Sequence, residues 1–362
     1  MATANEALQD KAVNHAHDLQ RYSVGVIQRM IALLNRSDAR LTAALTEALM
    51  QLDRNSFTVQ RLELALGSVK AINAQAYATL LDALQLEIRG LAGVEAAGQV
   101  AGFKAAIPAI VRIKAPVMAI TQEQVYAAAL SRPFQGRLLR EWASDLEASR
   151  LDRIRNAVRA GYVEGKTTAE IVQKVRGTRA LRYEDGLLNK PRHEVAAVVQ
   201  TAVSHTAQTA RQEMTNANAD LIKATAWLST LDNKTSAICR IRDGLHYTPD
   251  THKPIGHHVP WGEGPGRIHF SCRSVSVPVL KSWRELGIDI ADMPPGTRAS
   301  MDGQVPADMT YAQWFAKQPA ARQEEILGPA RYKLLKEGKV TYDEFYNDRG
   351  QWLSLADLAK RI

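Results

Sequence analysis

The sequence predicts an α+β protein that is predominantly α-helical, with a helical N-terminal region, a small α+β core containing a short sheet, and a helical C-terminal tail. Apolar residues recur at helical spacing over residues 41–52 and 77–91. The period changes at residues 222–228, where Ile222, Ala224, Ala226 and Leu228 alternate with intervening residues as in a strand. Residues 274–277 form a second strand candidate.

Composition is that of an ordinary globular protein, with 362 residues, 46% apolar and 23% charged, which excludes disordered and fibrous classes. The net charge of +8 permits contact with nucleic acid through phosphates. Basic residues are interleaved with acidic ones, however, which is typical of solvated helix faces. Residues 1–20 are polar with mixed charges, and no apolar run approaches membrane length. We therefore expect no membrane contact, no signal peptide, and a protein that stays in the cytoplasm of the cell that makes it.

Residues 1–118 are predicted to form a helical N-terminal domain. Its two apolar stripes either pack within a bundle or remain available to neighbouring subunits. Residues 53–56 predict a turn between helices. Glycines within 90–110 predict a weak helix with room for close backbone contacts, and Pro108 and Pro116 mark the boundary.

Residues 119–220 are predicted to be a second helical segment. Capping boxes, in which a hydroxyl and a later side chain satisfy free backbone amides, are expected at Thr121–Gln124 and Thr167–Glu170. Gly177 is expected to end the second of these helices. A longer helix, rich in small residues that permit close packing, is expected from Pro191 through Met214, ending near Asn216 to Asp220.

Residues 221–285 are predicted to be a small α+β core. Between its two strands, Asp232 is expected to cap a short helix that runs through Arg240, accepting an amide hydrogen from Lys234 or Thr235. Asp243 and Gly244 predict a tight turn. Glycines at 262, 264 and 266 predict a flexible loop.

Residues 286–308 are predicted to be a linker, and residues 309–362 a helical, aromatic-rich tail. Capping boxes are expected at Thr310–Gln313 and Ser354–Asp357, with Gly328–Pro329 separating the helices between them. An aromatic-rich tail is expected to dock, either on its own core or on a neighbouring protein.

Both cysteines, Cys239 and Cys272, lie in the predicted core together with several histidines. Zinc could be held by Cys239, Cys272 and His269 with His246 or His257, although no C-x-x-C knuckle is present. A disulfide is a second interpretation, and reduced, buried cysteines beside hydrogen-bonding histidines are a third. The sequence favours the third, so no cofactor is expected, with zinc kept as an alternative.

The sequence offers no catalytic constellation, and we expect no enzyme. A nucleophilic Cys272 beside His269 is weakened if the segment is a strand, because residues three apart then point to opposite faces. A metal-dependent nuclease built on His257, His258 and His269 would have only Asp243 and Glu263 as nearby carboxylates. Arg273 is expected to donate bidentate bonds to a carboxylate or to carbonyls.

The order of these residues resembles the Mu F-like phage head morphogenesis family, also called minor head proteins. Residues 133–142, 209–214 and 311–340 extend the similarity, so that it covers about 121–362 and leaves 1–118 outside. The motif that carries it comprises Trp227, Asp232, Thr235, Ser236, Cys239, Asp243, Gly244, His269, Cys272 and Arg273.

This resemblance implies a minor structural protein of a tailed phage that acts in head morphogenesis and DNA packaging. Members of the family bind the portal and enter procapsids, and some influence DNA release. The main implied partner is the portal protein. Scaffold or major capsid protein are further candidate partners, and non-specific contact with packaged DNA is also implied. The implied location is the portal vertex of the virion head. Alternative hypotheses are a metal-dependent nuclease or a DNA-binding internal protein of the virion.

Overall fold

The computed structural model describes residues 3–52, 58–289 and 297–361. These residues form a predominantly α-helical α+β fold, as the sequence predicted. The α-helices are α1 (Ala4–Met50), α2 (Val59–Ala65), α3 (Gly67–Ala106), α4 (Ala109–Lys114), α5 (Gln122–Ser131), α6 (Leu139–Val163), α7 (Thr168–Arg176), α8 (Lys190–Ala217), α9 (Ala237–Arg240), α10 (Tyr311–Ala316), α11 (Ala320–Leu327), α12 (Pro329–Lys336) and α13 (Leu355–Ala359). The strands are β1 (Ile222–Leu228), β2 (His246–Tyr247), β3 (Pro254–Ile255), β4 (Val275–Leu280), β5 (Thr297–Ser300) and β6 (Gly303–Pro306).

The chain divides into two compact units. The first unit comprises residues 1–19, 91–129 and 204–362, and the second comprises residues 20–90 and 130–203. Helices α1, α3, α5 and α8 each contribute residues to both units. The segments predicted as 1–118 and 119–220 therefore each supply part of both units.

The second unit is a helical assembly whose core contains the first predicted apolar stripe. Leu41, Leu45 and Leu49 are buried in one cluster with residues of α2, α6 and α7. Beside this cluster, Asp38 accepts hydrogen bonds from Arg150 and from Nη2 of Arg192, the latter at 2.7 Å. The stripe at 41–52 thus packs within the chain, which is the first of the two alternatives predicted for it.

The glycines of α3 do not make the close backbone contacts that were predicted. A Cβ placed on Gly90 or Gly98 would meet nothing within 4 Å. At Gly93 and Gly102 the nearest atoms belong to the side chains of Gln122 and Lys11. Long side chains, rather than a second backbone, occupy the space beside these two glycines.

The first unit contains a four-stranded antiparallel sheet in the order β3-β2-β1-β4. In β1 only Lys223 is exposed, so the strand is buried on both faces rather than on one. Two clusters bury the strand: Leu228 packs with Ala210 and Met214 of α8, whereas Trp227 packs with Tyr247 and Trp261. The small residues predicted in this helix include buried Ala207 and Ala210.

The four predicted capping boxes and the predicted end of α7 are confirmed. The Thr167 hydroxyl accepts the Glu170 amide hydrogen at 3.3 Å while the Glu170 carboxylate accepts that of Thr167 at 2.7 Å. Gly177 ends α7 with a φ of 92°. The same hydroxyl-to-amide bond forms at three further predicted boxes, Thr121–Gln124, Thr310–Gln313 and Ser354–Asp357.

The predicted linker at 286–308 is wrong for its last part, because β5 and β6 pair there as an antiparallel hairpin. Ser300 forms a parallel bridge with Leu231, and the Met301 amide donates to the Leu231 carbonyl at 3.0 Å. These bonds fix the hairpin against the core. Residues 290–296 of the predicted linker, and the predicted turn at 53–56, lie outside the described residues.

The aromatic tail docks on the core of its own unit. Trp314, Phe315 and Phe345 are buried in one cluster with Leu231. The Tyr311 hydroxyl donates to the Asp232 carbonyl at 2.8 Å. Of the two docking sites predicted for the tail, its own core and a neighbouring protein, the structure shows the first.

Among the residues that the structure describes, no helix has the length and apolar character needed to span a membrane.

Candidate functional site

The motif residues converge in the first unit. They lie on β1, on the segment from 229 to 247, and on the loop that precedes β4. Trp227, Cys239 and Cys272 are buried in one cluster with Tyr247 and Trp261. We call residues 227–247 and 261–275 the motif module.

Asp232 and Arg273 form a bidentate ion pair. Nη1 of Arg273 lies 2.5 Å from Oδ2 and Nη2 lies 2.8 Å from Oδ1, which confirms the carboxylate partner predicted for the arginine. Oδ1 also accepts hydrogen bonds from the Thr235 hydroxyl and the Lys234 amide, each at 3.0 Å. Burial opposes the charged form, but the Arg273 guanidinium and these donors hold the pKa of Asp232 below its usual value.

Asp232 is not the N-cap of α9, which was the predicted role. The helix begins at Ala237, and Ser236 occupies the cap position. The predicted bond from the Lys234 amide does form, but it closes a turn ahead of the helix. The bidentate bond to Arg273 therefore makes Asp232 a link between the start of α9 and the loop before β4.

The Asp243 side chain makes hydrogen bonds beyond those of the predicted turn. Gly244 does turn the chain with a φ of 80°, and its amide donates to the Trp227 carbonyl at 2.8 Å. The Asp243 carboxylate also accepts the amide hydrogens of Ser229 at 2.6 Å and Tyr311 at 2.7 Å. Arg298 completes the set, with nitrogens 3.1 and 3.2 Å from the two oxygens.

Two residues of this network were missed by the sequence analysis. Arg298 lies in the predicted linker, where no pattern distinguishes it from a solvated arginine. Ser229 follows β1, and its hydroxyl donates to the Cys239 carbonyl at 2.9 Å and lies 3.1 Å from the Ser274 hydroxyl. Its position directly after a strand and its polar character among buried neighbours are the only local signals.

The cysteines and one histidine form a compact group. The sulfurs of Cys239 and Cys272 lie 3.7 Å apart, and His269 Nε2 lies 3.3 Å from Cys239 Sγ. The ligand-type atoms of all three residues lie within 4.8 Å of one another. Both cysteines are free thiols in the structure, so the sulfurs are in contact without being bonded.

A turn brings His269 and Cys272 to the same side. The Cys272 amide donates to the His269 carbonyl at 3.2 Å, and Ser271 has a φ of 59°. The premise that placed these residues on opposite faces of a strand is therefore wrong, because β4 begins only at Val275. In a turn, residues three apart return to one side of the chain.

The group is electrostatically coupled. The hydrogen bond with Cys239 lowers the pKa of Cys272 to about 7, against the opposing effect of burial. The same bond and burial raise the pKa of Cys239. The hydrogen bond with Cys239 raises the pKa of His269 above its usual value. The two thiols share one hydrogen bond, so their ionisation belongs to the pair rather than to either sulfur alone.

The other candidate histidines lie outside the group. His246 is on β2, where its carbonyl accepts a bond from His257 Nε2 at 2.9 Å. His257 Nδ1 accepts the Val259 amide hydrogen at 3.2 Å. Neither His246 nor His257 is the fourth member of the cluster around Cys239, which corrects that part of the predicted zinc set.

The glycine-rich loop, predicted to be flexible, is packed against aromatic rings. The Trp261 ring stacks on His252 with centroids 4.4 Å apart and meets Trp227 edge-on at 5.3 Å. A Cβ on Gly264 would lie 2.5 Å from Trp261 Nε1, and its φ of 91° favours glycine. Gly264 is thus required for close approach to an aromatic ring.

Comparison of the chain with protein families, with curated proteins and with solved structures finds no match.

Proposed function

We propose that this chain is a minor structural protein of a tailed-phage head, bound at the portal vertex. The observation that carries the proposal is the convergence of the motif residues in one module. Asp232 bonds Arg273 across a sequence separation of 41, and Cys239 contacts Cys272 across 33. These direct contacts between separated residues of the motif support the resemblance to Mu F-like proteins.

The bonds of the module favour a structural role rather than an enzymatic one. Both motif carboxylates, Asp232 and Asp243, are held by arginines and backbone amides. A general base or a metal-bound carboxylate would need an oxygen free to meet substrate or ion. This arrangement supports a rigid module that presents surfaces to other proteins of the head.

Exposed apolar side chains on each unit offer contacts for such partners. Ile113 of α4 is 82% exposed in the first unit, and Val163 of α6 is 87% exposed in the second. Single exposed apolar side chains are normal on a protein surface, so these two residues serve as probes of each unit's surface. We assign the main contact to the portal protein, with scaffold or major capsid protein as further neighbours in the virion head.

The test is binding of the purified full-length chain to purified portal protein, measured by co-sedimentation over a range of concentrations. We expect saturable binding. Ile113→Glu and Val163→Glu form a matched pair, since both sites are too exposed for a charge to disturb folding. Loss of binding in one variant alone would assign the interface to that unit. Absence of saturable binding by the folded wild-type chain would overturn the proposal.

Contact with packaged DNA is a second, weaker part of the proposal and rests on the net charge of +8. Phosphate contacts release counterions, so any affinity should fall steeply as salt rises. Filter binding of random-sequence DNA at several salt concentrations measures this. An absence of binding at low salt would remove DNA from the list of partners without affecting the portal assignment.

A further inference from the structure

We propose that Cys239, His269 and Cys272 bind a zinc ion, with solvent supplying the fourth ligand. The proposal concerns the motif module alone and does not depend on the portal assignment. It is carried by the spacing of the three ligand atoms, the tautomer of the histidine and the surroundings of the sulfurs.

Two of the three ligand separations match a tetrahedral zinc site, and the third, between Cys272 Sγ and His269 Nε2, is within 4.8 Å. With Zn–S bonds of about 2.3 Å and Zn–N bonds of about 2.0 Å, two sulfurs lie about 3.8 Å apart and a sulfur and a nitrogen about 3.5 Å apart. The observed separations are 3.7 Å for the two sulfurs and 3.3 Å for Cys239 Sγ and His269 Nε2. An ion could therefore be bound with only small movements of the side chains.

The histidine is held in the tautomer that a metal requires. His269 Nδ1 lies 2.8 Å from the Phe270 carbonyl, which can only accept, so Nδ1 carries the hydrogen. In the neutral ring the lone pair is then on Nε2, the atom that faces Cys239 and the Ser236 hydroxyl. A backbone carbonyl that fixes the remote nitrogen is a common second contact of metal-bound histidines.

The sulfurs lie where thiolates are stabilised. Both cysteines are 2% exposed, and the backbone amides of Gly266 and Ser274 donate to Cys272 Sγ. Two thiolates in contact repel unless a cation lies between them, and burial increases that repulsion. Thiolate and imidazole together select a soft or borderline ion such as zinc over magnesium or calcium, which prefer oxygen.

Zinc would join α9 to the turn before β4. The three ligands come from these two segments, whose cysteines are separated by 33 residues in the sequence. Because the unfolded chain does not hold the ligands together, metal binding would stabilise the folded module. The half-buried side of the group, next to Ser236, is where solvent can reach the fourth position.

The experiment begins with the full-length chain purified under reducing conditions, with its metal content measured by mass spectrometry of the elements. We expect about one zinc per chain, as for a single tetrahedral site. Replacement of zinc by cobalt(II) should then produce thiolate-to-cobalt charge-transfer bands, which surface histidines cannot give. Reduced, folded wild-type protein that gives no such bands on cobalt titration would overturn the proposal.

Variants identify the ligands. Cys239→Ser, Cys272→Ser and His269→Ala should each weaken zinc binding by about 10-fold or more. His246→Ala is the matched control, because His246 belongs to the same unit but not to the group, and it should retain zinc. Full zinc retention in folded Cys239→Ser and Cys272→Ser proteins would contradict the assignment. If those variants do not fold, the presence or absence of thiolate-to-cobalt bands in the wild-type spectrum tests whether the cysteines bind the metal.

Oxidation gives the competing outcome. A disulfide requires sulfurs about 2.05 Å apart, so the observed 3.7 Å would have to shorten. The wild-type chain is purified without reductant and its mass is measured, and cobalt uptake is then measured after reduction. A mass lower by two hydrogens together with no cobalt uptake would show that the two cysteines form a redox-active pair and not a zinc site. Portal binding is measured separately, so failure of either proposal leaves the other intact.

Discussion

Asp243 and Arg298 form an ion pair with almost no exposure to solvent, the side chains being 0% and 1% exposed. The arginine also donates to the carbonyls of Ser229 at 2.6 Å and Met309 at 3.0 Å. The carboxylate accepts the Tyr311 amide hydrogen. One buried pair thus joins the end of β1, the hairpin β5–β6 and the start of the tail.

Removal of Arg298 should destabilise the first unit strongly. Arg298→Met keeps much of the volume but leaves Asp243 charged and buried without its cation, which costs about 3–5 kcal/mol of unfolding free energy. Urea unfolding followed by circular dichroism measures the loss. Arg322→Met is the control, since the Arg322–Asp302 pair is 30% and 39% exposed and such pairs contribute about 0–1 kcal/mol. Equal losses in the two variants would contradict the assigned role of Arg298.

The Asp232–Arg273 pair should make stability fall in acid. The pKa of Asp232 is lower in the folded chain than in the unfolded chain. Burial, the largest single effect, raises it, but the hydrogen bonds and charge of Arg273 and the bonds from Thr235 and Lys234 together lower it by more. Its contribution is therefore complete above the unfolded pKa of about 3.9 and is lost as pH falls through the lower folded value. We expect unfolding free energy to decrease between roughly pH 5 and pH 2.

Asp232→Asn isolates this contribution. The variant should be less stable than wild type at neutral pH, and the difference should shrink as the pH falls through the same window. Asp220→Asn, at an exposed site, provides the control and should follow the wild-type curve. If the difference in unfolding free energy between Asp232→Asn and wild type does not change with pH, the charge of the Asp232 carboxylate does not contribute to stability through this pair.

Two helical glycines of the second unit should respond oppositely to alanine. A Cβ on Gly161 in α6 would lie 2.4 Å from Cγ1 of Ile171, so Gly161→Ala should destabilise by about 1–3 kcal/mol. A Cβ on Gly90 in α3 would meet nothing within 4 Å. Gly90→Ala should therefore stabilise by about 0.5–1 kcal/mol, because alanine loses less backbone freedom on folding. Thermal unfolding of both variants checks the signs, and stabilisation by Gly161→Ala would contradict the close packing of α6 on α7.

Local patterns predicted several of the helices, the starts of α5, α7, α10 and α13, and the end of α7. The capping box at Thr167 and Glu170 forms with both of its reciprocal bonds. The alternation at 222–228 located β1. These features depend on bonds between residues three or four positions apart, or on a repeat that one segment displays by itself, so the sequence contains them.

Contacts between distant segments could not be predicted in the same way. The linker prediction failed at 297–306 because the hairpin is fixed by Leu231 and Asp243, more than fifty residues earlier. The glycine loop appeared flexible because the packing of Gly264 against Trp261 has no signature in composition. The premise of a strand at 269–272 failed because a single turn with Ser271 at positive φ replaces it.

The sequence by itself determined the fold class, the four capping boxes and the position of β1. Only the tertiary structure decided that Asp232 pairs with Arg273, that Arg298 is buried on Asp243, and that His269 joins two cysteines while His246 does not. The physical reason is the range of the interactions. Caps and periodicity act within a few residues, whereas the partner of a buried charge or sulfur is chosen by whichever segments the folded chain brings within about 3–4 Å.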